Sequence, residues 1–117
     1  MKILIAEDEL LSASHLKIIV MEMGYAEPQI VDNTEKLLQS IAIESPNLVL
    51  IDVRLKGIKD GIVAAEIIAA SENPIPVIFI TAMKDATTFE RAKKTQPHSY
   101  ITKPFQVEEL QDRKSVV

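Results

Sequence analysis

The stretch Leu48-Val49-Leu50-Ile51-Asp52 decides the fold, because four apolar residues lead directly into a carboxylate. A short apolar run bounded by turn residues is typical of a strand that is buried on both faces of a parallel sheet. The turn that precedes it, Ser45-Pro46-Asn47, marks where the strand begins. The segment therefore predicts a parallel strand with Asp52 at its carboxyl end.

Three further runs have the same form, an apolar segment that ends in a polar or charged side chain. They are residues 2–6 before Glu7-Asp8-Glu9, residues 77–80 before Thr81, and residues 99–102 before Lys103. Gln29-Ile30-Val31 is a shorter strand, which we place near the sheet edge because Pro28 precedes it. Strands that alternate with helical patterns predict a doubly wound, five-stranded parallel α/β sandwich.

Apolar residues at helical spacing fill the first two segments between the strands. The first helix carries the stripe Leu16, Ile19, Val20 and Met23, and Gly24 fits its end. Either Asn33 or Thr34 can cap the second helix. The predicted inner stripe of this second helix is Leu37, Leu38, Ile41 and Ala42.

The remaining three helices are less uniform in pattern. The third is predicted to open at Asp60-Gly61 and to turn four residues inward, Ile62, Val63, Ile67 and Ile68. Thr87-Thr88-Phe89-Glu90 matches a capping box for a fourth helix, whose largely polar surface predicts a loosely held or partner-facing element. The last helix is predicted to start near Gln106 with Val107 and Leu110 inward. Its apolar stripe then fades, so this helix is either short or truncated.

Composition narrows the class of protein. The chain has 117 residues, of which 47% are hydrophobic, and this predicts one domain over residues 1–117 with a full core and no output domain. The net charge of −4 argues against direct nucleic-acid binding by this domain. The chain has no cysteine and no apolar stretch long enough to cross a membrane, so we expect a cytoplasmic protein.

The acidic residues at the strand ends predict a metal site. Carboxyl ends of parallel strands meet at one rim of a sheet, so Glu7, Asp8 and Asp52 should lie together. Three neighbouring carboxylates repel one another unless a cation neutralises them, and Mg²⁺ prefers such oxygen ligands, with Mn²⁺ as an alternative. Asp8 and Asp52 are the expected direct ligands, Glu7 acts through a water, and the backbone carbonyl of Arg54 supplies another oxygen.

A hydroxyl and an ammonium at the same rim predict phosphoryl transfer. Asp52 can attack phosphorus in line, while Mg²⁺, Lys103 and the Thr81 hydroxyl each hold one phosphoryl oxygen. Taken singly, each residue has an ordinary explanation as a helix cap, a turn or a loop residue. Their joint occurrence at successive strand ends favours function. No serine, histidine and acid share strand-end placement, so a hydrolase triad is not indicated.

Together these motifs resemble the receiver domain of two-component response regulators. The resemblance covers essentially the whole chain and is carried by Ile3-Leu4-Ile5-Ala6-Glu7-Asp8-Glu9, Leu50-Ile51-Asp52-Val53-Arg54-Leu55, Asp60-Gly61, Ile80-Thr81-Ala82 and Tyr100-Ile101-Thr102-Lys103-Pro104-Phe105. It implies the flavodoxin-like strand order 2-1-3-4-5 and a cis bond between Lys103 and Pro104.

The resemblance also implies a role for each site residue. Asp52 would be the phosphoacceptor, Glu7 and Asp8 the metal-binding acids, and Thr81 and Lys103 the phosphate contacts. Tyr100 would be an aromatic switch that turns inward when Thr81 moves. The chain departs from the family in the loop after Asp52, which is one residue longer than the commonest form. Lys56 also stands in this loop where a proline is often found.

Three hypotheses about function follow. The first is a signalling switch in which a histidine kinase or phosphotransfer protein donates to Asp52, without being a multiple-turnover enzyme. The face of helix 4, strand 5 and helix 5 would then bind a partner or a second copy. The second is a phosphorylation-independent interaction module of the same fold. The third, a haloacid dehalogenase-type phosphatase, fits poorly, because Arg54 stands where that mechanism needs an aspartate.

Overall fold

The computed structural model describes residues 1–57 and 59–114, with the side chains of Arg113 and Lys114 outside the description. Strands and helices alternate along the chain. The strands are β1 Ile3–Ala6, β2 Gln29–Val31, β3 Leu48–Ile51, β4 Val77–Thr81 and β5 Ser99–Thr102. The helices are α1 Leu10–Glu22, α2 Thr34–Glu44, α3 Gly61–Ala69, α4 Ala86–Lys93 and α5 Val107–Lys114.

The five strands form one parallel sheet in the order β2-β1-β3-β4-β5. This confirms the predicted architecture and the edge position of β2. Strand β3 lies in the centre, and all four of its residues are buried. Among the described residues, none of the helices has the length and hydrophobicity of a membrane-spanning segment.

Side chains alternate between the two faces of the sheet and build a core on each. Val49, Ile51 and Phe79 belong to the core on one face, which also receives Leu37 and Ile62 from the helices. The other core contains, among others, Leu50, Ile78, Leu16, Ile19 and Leu110. Because successive strand residues point to opposite faces, both faces need helices to cover them. The doubly wound arrangement follows from this.

Two of the predicted helix stripes are partly wrong. On α2, Ala42 is exposed, whereas the polar residues Thr34 and Ser40 are buried. On α3, Ile67 is 37% exposed. Ala64 and Ala65 are buried in its place, because small side chains let a helix approach the sheet closely.

The structure also shows which residues cap α2 and α4. Asn33 caps α2, its side chain accepting a hydrogen bond from the backbone N–H of Lys36 at 2.8 Å. For α4 the predicted capping box at Thr87 is wrong. Asp85 is the cap instead, and its carboxylate accepts hydrogen bonds from the backbone N–H and the hydroxyl of Thr88 at 3.0 and 2.7 Å.

The loop between β3 and α3 is tied to the start of α2. Lys56 forms an isolated parallel β-bridge with Asn33. The carbonyl of Lys56 accepts a hydrogen bond from the Thr34 N–H at 3.0 Å. Gly57, directly after Lys56, has φ 127°, a left-handed conformation that favours glycine. This attachment positions the chain that directly follows Asp52.

Candidate functional site

The carboxyl ends of β1, β3, β4 and β5 meet around one open cavity of about 560 Å³. Such a crevice, outside the strand ends of an open α/β sheet, is where this fold places ligands. Charged and polar groups dominate its lining, which consists of Glu7, Asp8, Glu9, Ser12, Asp52, Arg54, Lys56, Ala82 and Lys103. The structure therefore brings together all three predicted acids, Arg54 and Lys103.

The ammonium of Lys103 is the centre of this cluster. It donates to Glu7 Oε1 at 2.6 Å, to Ser12 Oγ at 2.6 Å and to Asp52 Oδ2 at 3.2 Å. Lys103 follows β5 directly and reaches across β4 and β3 to β1. The bond from Lys103 to Pro104 is cis, as the resemblance predicts.

The carboxylate of Asp52 is held by donors on both sides. Its Oδ1 accepts hydrogen bonds from the backbone N–H of Arg54 at 2.9 Å and from the hydroxyl of Thr81 at 3.0 Å. Thr81 is fully buried and Asp52 is 9% exposed. These contacts fix the orientation of the carboxylate at the cavity floor.

Burial and charge act against each other in this cluster. Burial raises the pKa of Glu7, and the neighbouring charge of Asp52 adds to the rise, although hydrogen bonds from Lys103 and Ser12 oppose it. Burial alone would lower the pKa of Lys103. The hydrogen bond to Glu7 and the charge of Asp52 outweigh that effect, so the pKa of Lys103 is raised and its ammonium stays charged.

The donor set suits Mg²⁺. Oxygens of Glu7 and Asp52 lie 2.6 and 3.2 Å from the same nitrogen, and Asp8 lines the same cavity. Hard oxygen donors of this kind are what Mg²⁺ prefers. Across residues 1–57 and 59–114, no three carboxylate, imidazole or thiolate side chains are grouped closely enough to form a complete metal site. The ammonium of Lys103 lies between the two buried acids instead.

Tyr100 is linked to the site through the loop after β4. Its hydroxyl donates to the carbonyl oxygen of Met83 at 2.7 Å, and the Met83 N–H donates to Thr81 Oγ1 at 3.3 Å. The ring lies between Phe79 and Phe89, with centroid distances of 5.9 and 5.3 Å. Burial, together with the charges of Asp85 and Asp52, raises the pKa of Tyr100.

Two residues line the cavity that the sequence did not predict there, Ser12 and Lys56. Ser12 contacts Lys103 directly. Its partner lies 91 positions away along the chain, so no local sequence signal indicates this contact. Lys56 lines the cavity as well. The sequence signal that could have indicated this is the lysine at a loop position where a proline is often found.

Comparison with known proteins agrees with this geometry. The response regulator receiver domain model matches residues 3–114. The transcriptional regulatory protein PdtaR of Mycobacterium tuberculosis is 32% identical over 109 residues, covering 93% of this chain and 52% of that protein. KdpE of Staphylococcus aureus is 33% identical over 116 residues, covering 99% and 49%. The chain thus spans about half the length of these curated relatives.

Solved structures give the same match. The signal receiver domain of a modulated diguanylate cyclase from Desulfovibrio desulfuricans G20 has TM-score 0.88 and 35% identity, covering 97% of this chain and 89% of that one. The receiver domain of a sensor histidine kinase from Pseudomonas aeruginosa PAO1, described with magnesium coordinated in its active-site cleft, has TM-score 0.84 and 27% identity, with coverages of 95% and 91%. This chain therefore belongs to the response regulator receiver domain family, whose general function is that of a phosphoacceptor switch.

Proposed function

We propose that Asp52 is the residue of this receiver domain that accepts the phosphoryl group. One observation carries the proposal. The Asp52 carboxylate lies at the floor of an open cavity, 3.2 Å from the ammonium of Lys103 and 3.0 Å from the hydroxyl of Thr81. A phosphoryl group on Asp52 would meet one cationic and one neutral donor at once, which is the electrostatic arrangement that phosphoryl transfer needs.

In the transfer, a carboxylate oxygen of Asp52 forms a bond to phosphorus while the bond from phosphorus to the donor's histidine nitrogen breaks. The electron pair of that bond stays on the imidazole, which takes up a proton from solvent. The product is an acyl phosphate on Asp52. Lys103 and Thr81 hold phosphoryl oxygens, and the Arg54 N–H keeps the carboxylate oriented.

We propose that Mg²⁺ would be held by Asp8 and Asp52 as direct ligands, by Glu7 through a water, and by the Arg54 carbonyl. Mn²⁺ is the alternative ion. When bound, the cation neutralises the negative charge that builds up between the carboxylates and the phosphoryl oxygens. The receiver domain from Pseudomonas aeruginosa that is described with magnesium in its cleft supports this proposal.

The signal would leave the site through Thr81. Its hydroxyl contacts both Asp52 and the Met83 N–H, and the Met83 carbonyl holds Tyr100. If Thr81 moves toward a phosphoryl group, the segment around Met83 and the ring of Tyr100 lose their present support. We infer that this shifts the population of conformations at the face of α4, β5 and α5.

Receiver domains interact with histidine kinases, and we propose a histidine kinase or a phosphotransfer protein as the donor. The module would carry one phosphoryl group at a time and would not turn over a free substrate. A homodimer through the face of α4, β5 and α5 stays a prediction. The cytoplasmic location and the single domain over residues 1–117 also stay predictions.

The test is the intact mass of the protein after incubation with acetyl phosphate, with and without Mg²⁺. Wild type should gain one phosphoryl group only with Mg²⁺, and Asp52→Ala should gain none while remaining folded by circular dichroism. Asp32→Ala is the matched control, because Asp32 also directly follows a strand but does not line the cavity.

Other outcomes would decide between the hypotheses. A phosphoryl group gained by Asp52→Ala would contradict the assignment of Asp52 as the acceptor. A folded wild type that gains nothing under any condition would favour the phosphorylation-independent module. Continuous release of phosphate from small phosphate esters would favour the phosphatase.

A further inference from the structure

Ser12 lies at a distinctive position on α1. It lines the cavity above Asp52 and also a second cavity of about 320 Å³, whose other lining residues include His15, Pro104 and Phe105. Lys103 lines both cavities as well. The contact between Ser12 and Lys103 is therefore part of the wall that separates the two spaces.

The hydroxyl of Ser12 is one of three acceptors for the Lys103 ammonium. An ammonium has three donors and no acceptor, so Ser12, Glu7 and Asp52 together satisfy it. The distance to Ser12 Oγ, 2.6 Å, equals the distance to Glu7 Oε1 and is shorter than the 3.2 Å to Asp52 Oδ2. Ser12 is the only neutral member of this set.

The two charged acceptors have a second task in the proposed function. Glu7 and Asp52 are also the groups placed to neutralise a divalent cation, and Asp52 is placed to carry the phosphoryl group. As they take on these roles, their oxygens become less available to Lys103. The Ser12 hydroxyl does not compete in this way, because a divalent cation prefers carboxylate oxygens to a neutral hydroxyl beside an ammonium.

We propose that Ser12 is a positioning residue for Lys103, which keeps the ammonium anchored at the cavity wall while Glu7 and Asp52 engage the cation and the phosphoryl group. This inference rests on the proposed function of Asp52 and Lys103. It adds a residue of α1 that acts on the phosphoryl group through Lys103, while the same hydroxyl also donates a hydrogen bond to Glu7.

If Ser12 served only the stability of α1, Ser12→Ala would leave the hydrogen bonding of Lys103 and the phosphorylation rate unchanged, because alanine has a higher helix propensity than serine and α1 would still form. Ser14 provides the matched control, since it is an exposed serine two residues further along the same helix. Ser12→Thr keeps the hydroxyl and should restore the contact.

The first measurement uses metal-free protein, in which ¹H–¹⁵N spectra detect lysine ammonium groups that are held by hydrogen bonds. The Lys103 signal, assigned by its loss in Lys103→Met, should be strong in wild type, Ser14→Ala and Ser12→Thr. It should be weakened in Ser12→Ala, where only Glu7 and Asp52 still hold the ammonium. The second is the rate of phosphorylation by acetyl phosphate with Mg²⁺. It should fall about tenfold to a hundredfold in Ser12→Ala, the effect of losing one hydrogen bond to a charged group, and recover in Ser12→Thr.

The proposal is overturned if Ser12→Ala leaves the Lys103 signal as strong as in wild type, or if it weakens the signal but is phosphorylated as fast as wild type and Ser14→Ala. Failure of the proposed function has a different signature, because wild type itself would then gain no phosphoryl group. The ammonium spectra of the metal-free protein would still report on the contact between Ser12 and Lys103.

Discussion

Gly61 is a single residue fitted tightly against the site. A Cβ at this position would collide with the backbone carbonyl of Asp52 and lie 2.9 Å from Ile51 Cγ2. The Gly61 N–H donates to the carbonyl of Val53 at 2.9 Å, which holds the start of α3 beside the strand end. The glycine after Asp60 therefore allows a helix to begin in contact with the backbone of Asp52, the proposed phosphoacceptor.

We expect Gly61→Ala to lower the free energy of unfolding by about 1–3 kcal/mol, because the added methyl group must displace backbone atoms. It should also slow phosphorylation by acetyl phosphate, since the displaced atoms belong to Asp52. Gly24→Ala is the control. Gly24 has φ 95° with open space around it, so this variant should cost about 1–2 kcal/mol of backbone strain and leave the phosphorylation rate unchanged. Equal rates in both variants would contradict the predicted displacement of Asp52.

At the scale of single elements, α4 is attached to the core through few buried residues. Thr88 and Ala92 are its buried residues, and Phe89 is 41% exposed. The Arg91–Asp60 ion pair of 3.2 Å joins it to the start of α3, but both side chains are exposed, so the pair contributes about 0–1 kcal/mol. The cap at Asp85 therefore has a large share in holding α4 in place.

We expect Asp85→Ala to loosen the first turn of α4, measured as faster hydrogen exchange at the backbone amide of Thr88. Thr87→Ala, which changes the residue of the predicted capping box, should leave that exchange unaltered. The side-chain and backbone hydrogen bonds from Thr88 lower the pKa of Asp85 below its usual 3.8. The cap should thus stabilise α4 fully above pH 3.8 and fail as the pH falls through the lowered pKa. Faster exchange in Thr87→Ala would contradict this assignment.

At the scale of the whole molecule, stability and cation binding should be coupled through the site. The domain has a net charge of −4, and the buried Glu7 beside Asp52 concentrates part of that charge in one cavity. Because the pKa of Glu7 in the folded protein is raised above its usual 4.5, the metal-free protein loses stability as the pH rises through that pKa. The ionised form that appears over this range is also the form able to hold a cation.

We therefore expect Mg²⁺ to raise the free energy of unfolding, by about 2.7 kcal/mol at a concentration one hundred times its Kd. The gain should shrink as the pH falls, beginning at a pH above 4.5, because Glu7 becomes protonated there. Urea unfolding across a pH series with and without Mg²⁺ measures it. Glu7→Gln should reduce the gain and its pH dependence, whereas Glu108→Gln, at an exposed position on α5, should leave both unchanged. An equal gain at every pH in wild type would contradict the coupling.

The sequence by itself determined the five strands, their alternation with helices and the positions of Asp52, Thr81 and Lys103. It could do so because apolar periodicity and turn residues are local signals, and because parallel strands place their carboxyl ends at one rim. The edge position of β2 and the end of α1 before Gly24 follow from equally local chemistry. The resemblance added the strand order and the cis bond at Pro104.

Only the tertiary structure decided which neighbours each of these residues has. It buried Ala64 and Ala65 rather than Ile67, because the distance between helix and sheet selects small side chains. It chose Asp85 rather than Thr87 as the cap, because both side chains are of types that can cap a helix but only that of Asp85 meets the N–H of Thr88. It also placed Ser12 on Lys103, a contact between residues 91 positions apart that no local pattern contains.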